Sequence, residues 1–170
     1  DNPDMLKSVS GIEQLSALLV GQFHTWSDTR ILRFNNFNVV GGTDYEGLYS
    51  MLDKKRIDYF PRSVIEIQDD YNTHKDKSIM IDPHILIQYP SAYYFFVSKE
   101  NNQLAKDIKS GLEATLVDGE FDKLFYQYHG EVINKAGLTK RRIFHLANPL
   151  LSNRVPFERP ELWLNPPCSN

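Results

Sequence analysis

Two short stretches carry the residue types best suited to holding a ligand. The first is His24-Thr25-Trp26-Ser27-Asp28-Thr29, a polar run with one large aromatic that leads into a helical pattern. The second is Asp58-Tyr59-Phe60-Pro61-Arg62-Ser63, where an apolar run delivers a basic and a hydroxylated residue. A helix start offers unpaired backbone N–H groups and the positive end of its dipole to an anion. Arginine adds a planar fork that matches a carboxylate or phosphate. The candidate ligand-binding residues are therefore His24, Trp26, Ser27, Asp28, Thr29, Arg62, Ser63 and Glu66. The plainer alternative is that Arg62 pairs with Glu66 one turn on and that Trp26 only fills the core.

No catalytic set with tight spacing accompanies them. The five histidines, His24, His74, His84, His129 and His145, are scattered, and no H-E-x-x-H or carboxylate at metal-ligand spacing appears. There is no G-x-S-x-G, phosphate loop or G-x-G-x-x-G either. No metal and no cofactor is expected, and the chain reads as a binder rather than an enzyme. An enzyme would need Asp28 or Glu66 as general acid or base, its pKa raised in a dry cleft. The lone Cys168 can form no internal disulfide and has no zinc-ligand companions.

The elements that must position these residues follow from periodicity. Ile12, Leu15, Leu18 and Leu19 recur at helical spacing, and Val20 opens a short strand through Phe23. Ser27 is expected to cap a helix carrying Ile31, Leu32 and Phe34. Phe37–Val40 reads as a buried strand closed by Gly41-Gly42, and Thr43 or Asp44 can cap a helix with Leu48, Met51 and Leu52 inside. Ile57–Phe60 is then a strand stopped by Pro61. This alternation predicts a three-layer α/β/α arrangement with parallel strands, ligands binding at the C-terminal strand ends. Beyond it, Val64–Tyr71 is expected to be helical, and 79–81, 85–89 and 93–97 to be strands. Leu104, Ile108, Leu112 and Leu116 mark a helix ended by Asp118-Gly119, and Phe121, Leu124, Phe125 and Tyr128 mark another, expected to end at Gly130. Five of the nine prolines crowd the last 22 residues, which should form an extended tail.

Composition narrows the classes. With 170 residues the chain can bury a real core, as one domain or two small lobes. The net charge of −3 leaves no basic footprint for nucleic acid, and 12% aromatic residues is too rich for disorder. The longest apolar run, Ala92–Val97, is far too short to span a bilayer. The opening Asp1-Asn2-Pro3-Asp4 lacks a signal-peptide pattern, so a processed or trimmed chain is expected.

The order of several pieces also resembles a known family. These are Gly21-Gln22-Phe23-His24-Thr25-Trp26-Ser27-Asp28-Thr29-Arg30-Ile31-Leu32, Tyr45-Glu46-Gly47-Leu48, and Arg56-Ile57-Asp58-Tyr59-Phe60-Pro61-Arg62. Tyr89-Pro90, Tyr93-Tyr94-Phe95-Phe96-Val97, Leu104-Ala105, Gly111-Leu112, Asp118-Gly119 with Phe121, and Leu146-Ala147-Asn148-Pro149 follow. Over roughly residues 8–165 the chain resembles the bacterial family 3 solute-binding proteins. The resemblance implies a type 2 periplasmic binding fold, two α/β lobes closing on a ligand. Residues 1–9 would be a linker, 10–92 a complete second lobe and 93–97 a hinge crossing. Residues 98–150 would be the C-terminal part of the first lobe, and 151–170 a Pro-rich tail. The opening of the first lobe, with the family's usual carboxylate-binding Arg, would precede Asp1. Amino-acid binders of this family place an Asp near the position of Ser63, beside Arg62 here. The resemblance therefore implies an acidic or neutral small metabolite rather than an α-amino acid. It further implies a periplasmic location and an ABC-type membrane transporter as partner. A dehydratase or lytic transglycosylase on the same scaffold, or the sensor lobe of a receptor, are the alternatives. Open sheet edges in such a fragment are expected to promote dimerisation.

Overall fold

The computed structural model describes residues 4–164. The expectations for Asp1, Cys168 and the end of the tail at 165–170 lie outside the described residues. The fold is mixed α/β with small parallel sheets. In chain order it runs α1 (Ile12–Ala17), β1 (Leu19–Phe23), α2 (Ser27–Phe34), β2 (Asn38–Gly42), α3 (Tyr45–Asp53) and α4 (Ile67–Thr73). It continues with β3 (Ile85–Gln88), α5 (Asn102–Asp118), α6 (Glu120–Ala136) and β4 (Arg142–His145).

Local chemistry sets most of these boundaries. Asp44 caps α3, its Oδ2 accepting from the Gly47 N–H at 2.7 Å. Ser27 does not cap α2. Trp26 holds that position without a side-chain bond, and Ser27 is already the first helical residue. Nor does Gly130 end α6. Glycine weakens a helix interior but stops it only where the backbone turns left-handed, and that residue is Gly137, at φ 60°. The expected helix at 64–71 forms three residues later, after Pro61 has set the chain direction.

β1 and β2 pair in parallel, Leu19 opposite Asn38 and Phe23 opposite Gly42. On the other side of β1, residues 57–60 make only a single strand-like bridge, Val20 to Tyr59. The Asp58 carboxylate accepts from the Leu19 N–H at 2.7 Å, taking a ladder position with a side chain. Pro61, which has no N–H, closes the run. β3 and β4 form a second parallel pair, Ile85 opposite Arg142, across a crossover that contains α5 and α6. No strand forms at 79–81 or 93–97. A strand needs a neighbour to take its backbone bonds, and among the described residues none pairs with the 93–97 segment. Tyr93 and Phe96 are each 93% exposed.

Alternation in the strands divides the core. Val39 packs toward a cluster built on Leu15, Val20, Ile31, Leu32 and Phe37, and Val40 toward one built on Leu48, Tyr49, Ile57 and Phe60. Helices thus cover both faces of β1 and β2. The approach of α3 is close, since a Cβ on Gly42 would sit 2.7 Å from the Leu48 side chain. Phe144 and Leu146 join the first cluster, so the second sheet shares the core of the first. Polar staples reinforce that junction. Asn35 Nδ2 donates to the Ala147 carbonyl at 2.8 Å, and the Ala147 N–H returns a bond to Asn35 Oδ1 at 3.1 Å. The Arg142 guanidinium reaches the Val9 carbonyl, and Arg141 donates to Ala136 at the end of α6 and to Ile85 at the start of β3. In the tail, described only as far as 164, Arg159 grips Glu113 of α5 through two bonds of 2.7 and 2.8 Å.

Candidate functional site

Parallel strands send their following loops to one end. The segments after β1, after residues 57–60 and after β3 line one part of an open cleft of about 1410 Å³, which also extends past the start of β3 to Asp82 and Arg141. Six of the eight residues selected from sequence line it: Trp26, Ser27, Asp28, Arg62, Ser63 and Glu66. Tyr89, just beyond β3, donates its hydroxyl to Asp28 Oδ1 and so ties the two sheets across the cleft. Burial, and then the bond to that carboxylate, push the Tyr89 phenol up, so it stays a neutral donor.

Arg62 is held on several sides in the cleft. Its Nε donates to Asp70 Oδ2 at 2.6 Å, and its Nη2 lies 2.9 Å from Glu66 Oε2. The guanidinium sits 5.0 Å from the ring centre of Trp26, 5.3 Å from Tyr45 and 5.6 Å from Phe60. Asp70 also accepts from the Tyr45 hydroxyl at 2.6 Å. Burial alone would push the Asp70 carboxyl up, but the bonds from Tyr45 and Arg62 more than offset it and hold it below the usual range. Burial disfavours the charged Arg62 as well, yet its carboxylate partners raise its pKa. The pairing of Arg62 with Glu66 and the packing of Trp26 among rings are thus both present, in residues that also face the cleft.

His24 and Thr29 do not belong to this lining. The exposed His24 places Nδ1 3.0 Å from the Gly42 carbonyl, bracing the ends of β1 and β2. Thr29 is fully buried and donates its hydroxyl to the Phe23 carbonyl at 2.7 Å, which fixes the turn into α2.

Four residues around or behind Arg62 were not among the sequence candidates: Tyr45, Tyr49 and Asp70, with His74 packed behind them. Tyr49 stacks on buried His74 at 3.7 Å, and the His74 ring lies 2.7 Å from the Asp70 carbonyl and 2.9 Å from Glu46 Oε2. Only one signal was open to reading. Acidic residues stand four and eight positions after Arg62, on one face of any helix that begins there.

The arrangement can orient a polar group by an arginine fork beside an aromatic wall. Among the described residues no Ser or Cys side chain is hydrogen-bonded to a histidine, and no three His, Cys, Asp or Glu groups gather to hold a metal ion. No helix of the described residues is long and apolar enough to cross a membrane. Comparisons with family models, with curated proteins and with solved structures find no match for this chain.

Proposed function

We propose that this chain is a non-catalytic solute-binding protein of the family 3 type, capturing a small polar metabolite in the cleft for delivery to an ABC-type transporter in the periplasm. One observation carries the reading. Six residues chosen for binding chemistry, from segments more than thirty positions apart, line one cleft, three of them just after β1 and three just after residues 57–60. Arg62 supplies directional donors, Trp26 a wall, and Ser27, Asp28 and Ser63 further hydrogen-bonding groups. The Glu66 side chain is 53% exposed, which does not favour the dry carboxylate that acid–base catalysis would use.

Thermal melting against a panel of small carboxylic acids, sugars and amides is the direct test. A ligand that binds only the folded chain adds about 2.7 kcal/mol of stability at a hundred times its Kd. The expected result is a concentration-dependent rise in Tm that Arg62→Gln abolishes. A flat response across the panel, or a rise unchanged in Arg62→Gln, overturns the reading.

A further inference from the structure

The three nitrogens of the Arg62 guanidinium are not equivalent. Nε is held by Asp70, which also binds the Tyr45 hydroxyl and whose side chain is only 17% exposed. Displacing Asp70 would break its bonds to Arg62 and Tyr45 at once and leave a largely buried carboxylate unpaired, so that bond is the one retained. Nη2 is held by Glu66, whose carboxylate is half in solvent and gives up little on leaving. Nη1 donates to no acceptor among the described residues. It is not sealed off either, because no buried side-chain nitrogen or oxygen there lacks a partner.

We propose that Glu66 is an internal stand-in for the ligand, occupying the outer edge of Arg62 until a carboxylate in the cleft replaces it. This rests on the binding function proposed above and assigns the ligand an anionic group at that point. With Glu66 in place only Nη1 lacks a partner among the described residues. When Glu66 swings to solvent, Nη1 and Nη2 together present the end-on fork that takes a carboxylate through two parallel bonds. Asp70 and Tyr45 keep the guanidinium against Trp26 throughout, so the fork does not have to be rebuilt as the ligand enters. The tether makes Glu66 a competitor at high effective concentration. A lone monodentate anion should therefore lose to it, and a ligand with a second contact, to Ser27 or Ser63, should win. Glu66 is in this sense a specificity residue.

Succinate serves as the probe, titrated by calorimetry at low ionic strength into the wild type, Glu66→Gln, Glu66→Asp and the double variant Arg62→Gln/Glu66→Gln. Glu66 is exposed, and unchanged circular dichroism is expected for its single variants. Succinate should bind Glu66→Gln at least fivefold more tightly than wild type. Glu66→Asp keeps the charge but shortens the reach, and should fall between them. The double variant should lose the gain. Equal affinity for wild type and Glu66→Gln, a gain that persists without Arg62, or no succinate binding by either protein overturns the proposal. A sugar or amide that raises the Tm of wild type and Glu66→Gln alike would remove the role of Glu66 while leaving cleft binding intact. Silence across the whole panel would instead remove cleft binding itself.

Discussion

The two long helices and the first ninety residues solve the same problem differently. Around β1 and β2 the helices α1, α2 and α3 each bury apolar side chains, and Leu15, Ile31, Leu32 and Leu48 are at most 2% exposed. α5 and α6 are far longer, 17 residues each, yet neither contains a buried residue. They pack on one another and leave Leu124 55% and Tyr128 70% exposed. The preceding Tyr93–Phe96 run is barer still. Helix length comes from propensity and from the left-handed glycines 119 and 137, but depth of burial comes from neighbours on the remaining faces. The cleft residues sit on the well-buried side of this divide, which is where a fixed geometry can be held.

Mutations should widen that contrast before they blur it. Leu48→Ala empties a fully buried position under β1 and should cost about 2–5 kcal/mol in denaturant unfolding; a cost below 1 would mean the second cluster is loose. Asp70→Asn should cost about 1.5–3 kcal/mol, the usual range for hydrogen bonds to a charged group. Its pH dependence has a fixed sign. The folded carboxyl titrates below its ordinary 3.8, so its stabilisation is complete above pH 3.8 and is lost as pH falls through the lowered folded value. The gap between wild type and variant should close only below pH 3.8. A gap that closed at neutral pH would contradict the Arg62–Asp70–Tyr45 arrangement. Tyr89→Phe removes the tie to Asp28 and should cost about 0.5–1.5 kcal/mol. Leu124→Ala should stay within about 0.5 kcal/mol, as for other open surface positions. Amide exchange should also be faster through α5 and α6 than through β1. A large loss at Leu124 would show that the helices are covered after all.

Periodicity was a good guide where an element's own residues decide its form. The apolar spacing in α2, α3, α5 and α6 could be read directly, whereas Gly41-Gly42, expected to close β2, are paired inside it opposite Gln22 and Phe23. It failed where the partner lies far along the chain. β4 gives no alternation strong enough to separate it from an extended tail, and it exists because β3, more than fifty residues earlier, offers an edge. The 93–97 run has the opposite history, with strand-forming residues and no edge to join. The same division holds in the cleft. Arg62 and Trp26 announced themselves by type and position, whereas Asp70 matters only because α4 folds back beside Tyr45. His24 and Thr29 had suitable chemistry, but backbone carbonyls claimed them first.

The chain also carries its own optical probe. It has two tryptophans, and they occupy unlike surroundings. Trp163 stacks on Phe157 in the tail, with rings 5.4 Å apart and 9° from parallel. Trp26 lies beneath the Arg62 guanidinium, whose charge is close enough to act on the indole excited state. With Trp163 replaced by phenylalanine, the remaining tryptophan emission would come from the cleft alone. Movement of the guanidinium or of its carboxylate partners would then register as a change in colour or intensity, in unlabelled protein and on the timescale of mixing.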